Sequence, residues 1–559
     1  MTIHHCVKVK FSKFNIFLSF LLFGVSILIS CQTKSKFDHI KNENPAWFSK
    51  YSFYSDAEYY NFFRTHFLQF QDTTSLGHPE IVRFYENSDP FWTSFGFQQE
   101  NIEKFLKIID SSNNHGLPKE MFSYSKIKTL YDSVLTIKIV DKKGLFNVLS
   151  ALEIELTNSY LLYAKVVTFG ATDPKIIHPK KWLFQTDTIS PVFFETSLKS
   201  IDNFQVYLDS ISPKSKTYLA LQNELKFYST ICDTAVLDTF KHTKSYFVDK
   251  IIANLERNRW RILPSKGSNY VSVNIPEFMV KAYLHDSCYV SQKICCGLTL
   301  TKSEREKSTL IHHVYPSGKW ETPLLASSIN YLVLNPEWNI PYSIMKDEYL
   351  SKLQKNNLAI IQKEKLMVFD RTRTSVDPDT IDWKRFTKNN IPYTLVQTSG
   401  KHNALGIIKF DFPNPESVYL HDTPNKGAFK RKNRAISHGC CRVENPMELA
   451  HVLFKYNELS EYDIEKISII LGFAPTSEQG VLYIDTLLQS EMKYVEQLTD
   501  LQKKFYRSLR PTRYKLSKQM NIFIEYYTCF LNEKGKIQYC DDVYYKDFGI
   551  INQLNEYKR

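Results

Sequence analysis

At 559 residues the chain exceeds what one ordinary hydrophobic core serves, so two or three domains are expected. An apolar content of 43% with 14% aromatic residues excludes a disordered chain, and a net charge of +12 points to an anionic neighbourhood such as cell-wall polymer or lipid head groups. Nucleic acid would answer to the same charge, but the basic residues are spread out and no nucleic-acid motif appears, so no nucleic-acid partner is expected.

Residues 1–30 read as a leader: Lys8, Lys10 and Lys13 precede a largely apolar run from Phe14 to Ile29. The run closes on Leu28-Ile29-Ser30-Cys31, which resembles the lipobox of bacterial lipoproteins. That resemblance implies cleavage before Cys31, lipidation of its thiol, and a chain anchored to a membrane facing the periplasm. A single uncleaved transmembrane anchor is the competing reading, although the run is short for a bilayer of ~30 Å hydrocarbon thickness. Residues 31–46 are polar and Lys-rich, as in a flexible tether.

From residue 47 to about 240 the pattern is mostly helical. Leu152, Leu156, Tyr160, Tyr163 and Val167 share one helix face, and Gln99–Ser111 and Ser215–Tyr228 read likewise. A helix ending near Trp260 leads into a β-rich region, residues 251–547, where Tyr270 to Ile275 alternates with a strand period. Residues 343–390 form a charged insertion, helical at first and then a loop. Helices follow Pro446, and Met520 to Asp541 reads as a hairpin turning on Lys534-Gly535. A two-residue turn there would pair Glu533 with Lys536 and set Cys529 opposite Cys540, within reach of a cross-strand disulfide. One extra loop residue would turn the two thiols apart.

The ten cysteines build no framework. Cys295-Cys296 and Cys440-Cys441 are vicinal, which suits structural disulfides poorly, and the absence of C-x-x-C argues against zinc. No metal or cofactor is expected.

The chemistry gathers between residues 419 and 443. Glu416 to His421 reads as a strand, Pro424 to Arg434 as a polar loop, and Ala435 to Val443 as the returning chain, which can bring His421 against the Cys440 thiol. A free thiol is only a few per cent thiolate at neutral pH, and an imidazole that takes its proton activates it. The unspecific alternatives are a buried Cys and a core His meeting by chance, or half a metal site. The whole pattern, His421, fifteen residues, Ser437-His438-Gly439-Cys440, then Arg442, resembles the active-site motif of the YkuD-type L,D-transpeptidases, cysteine enzymes that cross-link peptidoglycan.

The resemblance implies an α+β multidomain protein: a mostly helical scaffold domain (47–240) before a β-rich catalytic domain (251–547) with helical insertions. Phe84-Tyr85…Trp92, Gly116-Leu117-Pro118 and Tyr163-Ala164…Gly170…Asp173-Pro174 resemble the scaffold more loosely. Glu321-Thr322-Pro323-Leu324, Asn335-Pro336-Glu337-Trp338 and Gly400-Lys401-His402-Asn403 follow in the family's order, and 343–390 takes the place of its capping segment. The small peptidoglycan-binding module common in the family has no room between Thr230 and Lys250.

What the resemblance further implies is a function in cell-wall biogenesis and cell shape. Cys440 would attack a stem peptide at its third residue, expel D-alanine, and pass the acyl group to an amine of a second stem, giving a 3→3 cross-link. His421 would be the base. His438, two residues before Cys440, would share its face if the strand is regular and act in the site or shape it. Arg442 would hold a stem carboxylate or a neighbouring acidic side chain. Tyr419 would orient His421 or serve as core, and Ser437 and Gly439 would line the substrate. The basic loop Lys426, Lys430, Arg431, Lys432, Arg434 reads as a solvated face or as an attractor of acidic stems. A hydrolase on the same fold and a non-catalytic wall-binding lipoprotein remain as alternatives.

Overall fold

The computed structural model describes residues 45–70, 78–94, 97–136, 139–233, 237–238, 241–301, 303–304, 317–497 and 510–558. The leader, Cys31 and the tether to residue 44 lie outside the described residues.

The chain divides into two compact units, 1–171 with 188–215 and 554–559, and 172–187 with 216–553. The first is helical. Its axis is α1 (Lys142–Phe169), on which Leu152, Leu156, Tyr160, Tyr163 and Val167 are all buried, as their spacing requires. Asp141 starts this helix by accepting from the Gly144 N–H. Deep inside, Glu153 accepts from the Tyr85 hydroxyl, the Phe91 and Thr93 N–H groups and the Thr93 hydroxyl, at 2.7–2.9 Å. A buried carboxyl with four donors serves here as the clasp for the 91–93 turn.

The second unit is β-rich. Nine strands form its main sheet: β1 (Tyr270–Asn274), β2 (Met279–Leu284), β3 (Ser287–Gly297), β4 (Leu325–Leu334), β9 (Ile408–Asp411), β10 (Leu420–His421), β11 (Ala435–Ser437), β12 (Cys441–Val443) and β13 (Thr512–Glu525). Their order is β11-β3-β12-β10-β9-β4-β13-β1-β2, and pairing of β2 with β3 closes it into a ring. Closure leaves the short strands β10 and β12 flanked on both sides.

The insertion is a folded element with its own core. A helix (Leu350–Glu364) is followed by a four-stranded sheet, β5 (Trp338–Asn339), β8 (Thr394–Gln397), β6 (Leu366–Phe369) and β7 (Ser375–Val376), in that spatial order. Ile344, Leu353, Ile361, Leu366, Val368, Trp383 and Leu395 pack inside it, with Trp320 and Trp338 against its edge. The expected loop after the helix is therefore partly strand. Leu366-Met367-Val368-Phe369 is buried almost throughout, so it carries no alternation to mark it.

The C-terminal hairpin is shorter than expected and its register differs by one residue. β14 (Cys529–Leu531) pairs with β15 (Ile537–Tyr539), placing Cys529 opposite Tyr539. The turn holds three residues between Asn532 and Lys536, ending on Gly535 at φ +70°, the left-handed position of a three-residue loop. That extra residue turns the thiols apart: Cys529 is buried, Cys540 half-buried, and both are free. Of the two registers open from the sequence, the one that keeps these thiols apart is the one adopted.

Candidate active site

The site is built where β10 and β12 run side by side. They are parallel, with Leu420 opposite Cys441 and His421 opposite Arg442, and the Cys441 N–H donates to the Tyr419 carbonyl at 3.1 Å. Side chains alternate along each strand, so Tyr419, His421, Cys440 and Arg442 share one face. Leu420, Cys441 and Val443 point to the other, where all three are buried. On β9, Lys409 stands opposite His421 and joins the first face. The vicinal cysteines thus part company: Cys440 belongs to the site and Cys441 to the core.

His421 is buried, and its Nδ1 lies 2.5 Å from the Asp422 carbonyl oxygen. A carbonyl can only accept, so Nδ1 carries the proton and Nε2 is left with a lone pair. Burial, with Arg442 and Lys409 nearby, lowers the imidazole pKa to about 3. Burial likewise raises the Cys440 thiol, while hydrogen bonds from Tyr419 and the charges of Lys409 and Arg442 oppose the rise. Both shifts favour the uncharged forms, a thiol and an imidazole on one face of the β10–β12 pair. The rings of Tyr419 and His421 meet edge to face at 5.6 Å, and the Tyr419 hydroxyl is hydrogen-bonded to Cys440 and Trp338. Lys409 Nζ sits 4.1 Å from the Tyr419 ring centroid.

Asp422 fixes this geometry. Its carboxylate accepts from the Ile407 N–H at 3.0 Å and from Lys426 Nζ at 2.7 Å. Lys426 also donates to the Glu444 carbonyl, and Arg434 donates to the Ile294 and Phe278 carbonyls. Two of the five basic loop residues are thereby structural, while Lys430, Arg431 and Lys432 are exposed.

The structure places the remaining expected residues as follows. Ser437 is buried, donates to the Cys440 carbonyl at 2.6 Å and accepts from the Gly439 N–H at 3.2 Å, so its hydroxyl ties the turn rather than facing outward. Gly439 has φ +117°, and an added Cβ there would meet nothing closer than 3.7 Å. Backbone conformation, not space, demands glycine at this point. The same positive φ breaks the strand alternation expected to align His438 with Cys440. His438 instead packs edge to face on Trp320 at 4.8 Å and its Nε2 meets the Glu348 carboxylate of the insertion. Arg442 is half-buried, and no carboxylate among the described residues supports its charge.

Three contributors escaped the sequence reading. Lys409 lies in Ile408-Lys409-Phe410-Asp411, where its single charge in a strand was the available signal. Asp422 directly follows His421. Thr322, in Glu321-Thr322-Pro323, donates to the Gly439 carbonyl at 2.7 Å. Among the described residues no group of three or more His, Cys, Asp or Glu side chains is spaced to hold a metal ion.

Comparison with known proteins agrees with this geometry. Residues 268–454 match the YkuD L,D-transpeptidase catalytic domain, and residues 79–225 match the Scaffold domain. A Haemophilus influenzae protein named "Putative L,D-transpeptidase" is 26% identical over 383 residues, covering 67% of each chain. With the His421–Cys440 motif lying inside the first match, the chain carries a YkuD L,D-transpeptidase catalytic domain with a Scaffold domain ahead of it.

Proposed function

We propose that this protein cross-links peptidoglycan stem peptides 3→3 through a thioester on Cys440, as a lipoprotein held by Cys31 in the cell envelope. The observation that carries the reading is the parallel β10–β12 pairing, which sets Cys440, His421 and Arg442 on one face. In acylation, His421 Nε2 takes the thiol proton as Sγ bonds to the carbonyl carbon of the third stem residue. The C–N bond to D-alanine breaks and the proton passes from His421 to the departing amine. The side-chain amine of a second stem then attacks the thioester, yields its proton to His421, and Sγ leaves and is reprotonated. Amide is exchanged for amide, so no external energy source is required.

Arg442, with no acidic partner among the described residues, is suited to a stem carboxylate. His438, through Glu348, ties the insertion to the turn that precedes Cys440 and so shapes the site.

Incubation of the soluble domain with purified muropeptides tests the reading: 3→3 dimers are expected in the parent. Trimmed monomers alone would make it a hydrolase, and no product with intact stems would make it a binding protein.

The uncharged form favoured at His421 sets the pH dependence. Imidazole held at about 3 stays unprotonated well below the ordinary histidine range, and only acid below that range protonates it. The acid limb of kcat/KM is expected below about pH 5, in contrast to the ~6.5 of an unperturbed imidazole. A limb between about pH 6 and 7 would show that His421 is not held in this state.

A further inference from the structure

The nucleophile turn is held from outside the matched catalytic domain. We infer that Tyr544, ninety residues beyond the end of that match at residue 454, positions Cys440 through Thr322. The inference rests on Cys440 as the reactive thiol.

The chain of bonds is continuous and buried. The Tyr544 hydroxyl donates to the Gly297 carbonyl at 2.8 Å and accepts from the Thr322 N–H at 3.2 Å. Thr322 Oγ1 accepts from the Gly297 N–H at 2.9 Å and donates to the Gly439 carbonyl at 2.7 Å. Gly439 is the residue before Cys440, at a positive φ that its carbonyl must be held to keep. Tyr544 and Thr322 are 2% and 1% exposed, so water does not replace a lost partner. Tyr544 is itself anchored: its N–H donates to the Tyr526 hydroxyl at 2.6 Å, and that hydroxyl donates to Asp542 at 2.5 Å. Asp542 also accepts the Lys546 and Asp547 N–H groups, which shapes residues 542–547 into one turn. A second tie lies beside it, the buried ion pair of Lys546 with Glu321, the neighbour of Thr322.

The geometry assigns Tyr544 no contact with substrate. Its hydroxyl fixes the Thr322 peptide, Thr322 fixes the Gly439 carbonyl, and the turn then presents Cys440 to the Tyr419 hydrogen bonds that favour its thiolate. A folded chain lacking the hydroxyl keeps its ring stacking on Tyr526 yet misplaces the thiol.

The test uses the full chain, with iodoacetamide alkylation of Cys440 followed by peptide mass across pH, and hydrogen exchange of the 436–442 peptide. Tyr544→Phe and Thr322→Val are expected to slow alkylation about tenfold or more at neutral pH, shift its pH midpoint upward, and speed exchange at 436–442. Thr322→Ser, which keeps the hydroxyl, should stay within about threefold of the parent. Parent-like alkylation and exchange in either folded variant overturn the inference, as does equal loss in Thr322→Ser and Thr322→Val. Variants that do not fold overturn it too, since the network would then be a staple of the whole unit. Faster exchange in the variants of a parent whose Cys440 resists iodoacetamide would instead keep the positioning role and discard the nucleophile.

Discussion

Cys440→Ala is expected to abolish cross-linked product, a loss of about 10³-fold or more, because of the two vicinal thiols Cys440 is the one on the His421 face of the β10–β12 pair. Cys441→Ala is the informative control. Its sulfur lies 1% exposed on the opposite face, so truncation leaves a small cavity costing about 1 kcal/mol and leaves turnover within about threefold. Muropeptide analysis of the two variants side by side reads the difference, and product surviving in Cys440→Ala would overturn the assignment.

Gly297→Ala is expected to be the most damaging single change to the fold of the second unit. A Cβ at this position would sit 1.9 Å from the Trp320 carbonyl oxygen and 2.7 Å from the Thr322 nitrogen. Both obstacles are backbone, so β3 or the 320–322 segment must move, and the Thr322 bond to Gly439 moves with it. A destabilisation of about 3 kcal/mol follows, lowering the melting temperature of this unit by about 5–10 °C. Gly267→Ala provides the contrast: its φ of +65° strains an added side chain, but nothing lies within 4 Å, and about 1 kcal/mol is expected. Calorimetry on the two variants separates steric collision from backbone strain, and equal melting temperatures would refute the distinction.

The stretch from residue 416 to 443 was legible as a strand, a loop and a return, and the structure keeps that order with a shorter strand, Leu420–His421, and a return split into Ala435–Ser437 and Cys441–Val443. The long helix of the first unit was legible for a similar reason, since a strictly periodic face dictates its own burial. His438 was misplaced because alternation was assumed through Gly439, whose φ of +117° interrupts it. The hairpin was misread by one residue because Lys534-Gly535 fits a two-residue turn as well as it fits the last two positions of a three-residue one. Residues 366–369 were hidden as a strand because burial on both faces erases the pattern that advertises one. The bond between Thr322 and Tyr544 was out of reach: it joins positions 222 residues apart, and although Glu321-Thr322-Pro323-Leu324 carries part of the family resemblance, nothing local points from one residue to the other.

On the role proposed for Cys440, its burial also bears on how long the protein stays active. Peroxides and other oxidants consume thiolates far faster than thiols, driving them through sulfenic acid to forms that do not return. A sulfur whose ionisation is opposed by burial offers little to a passing oxidant. The arrangement that delays ionisation is thus also what gives a reactive cysteine a long working life.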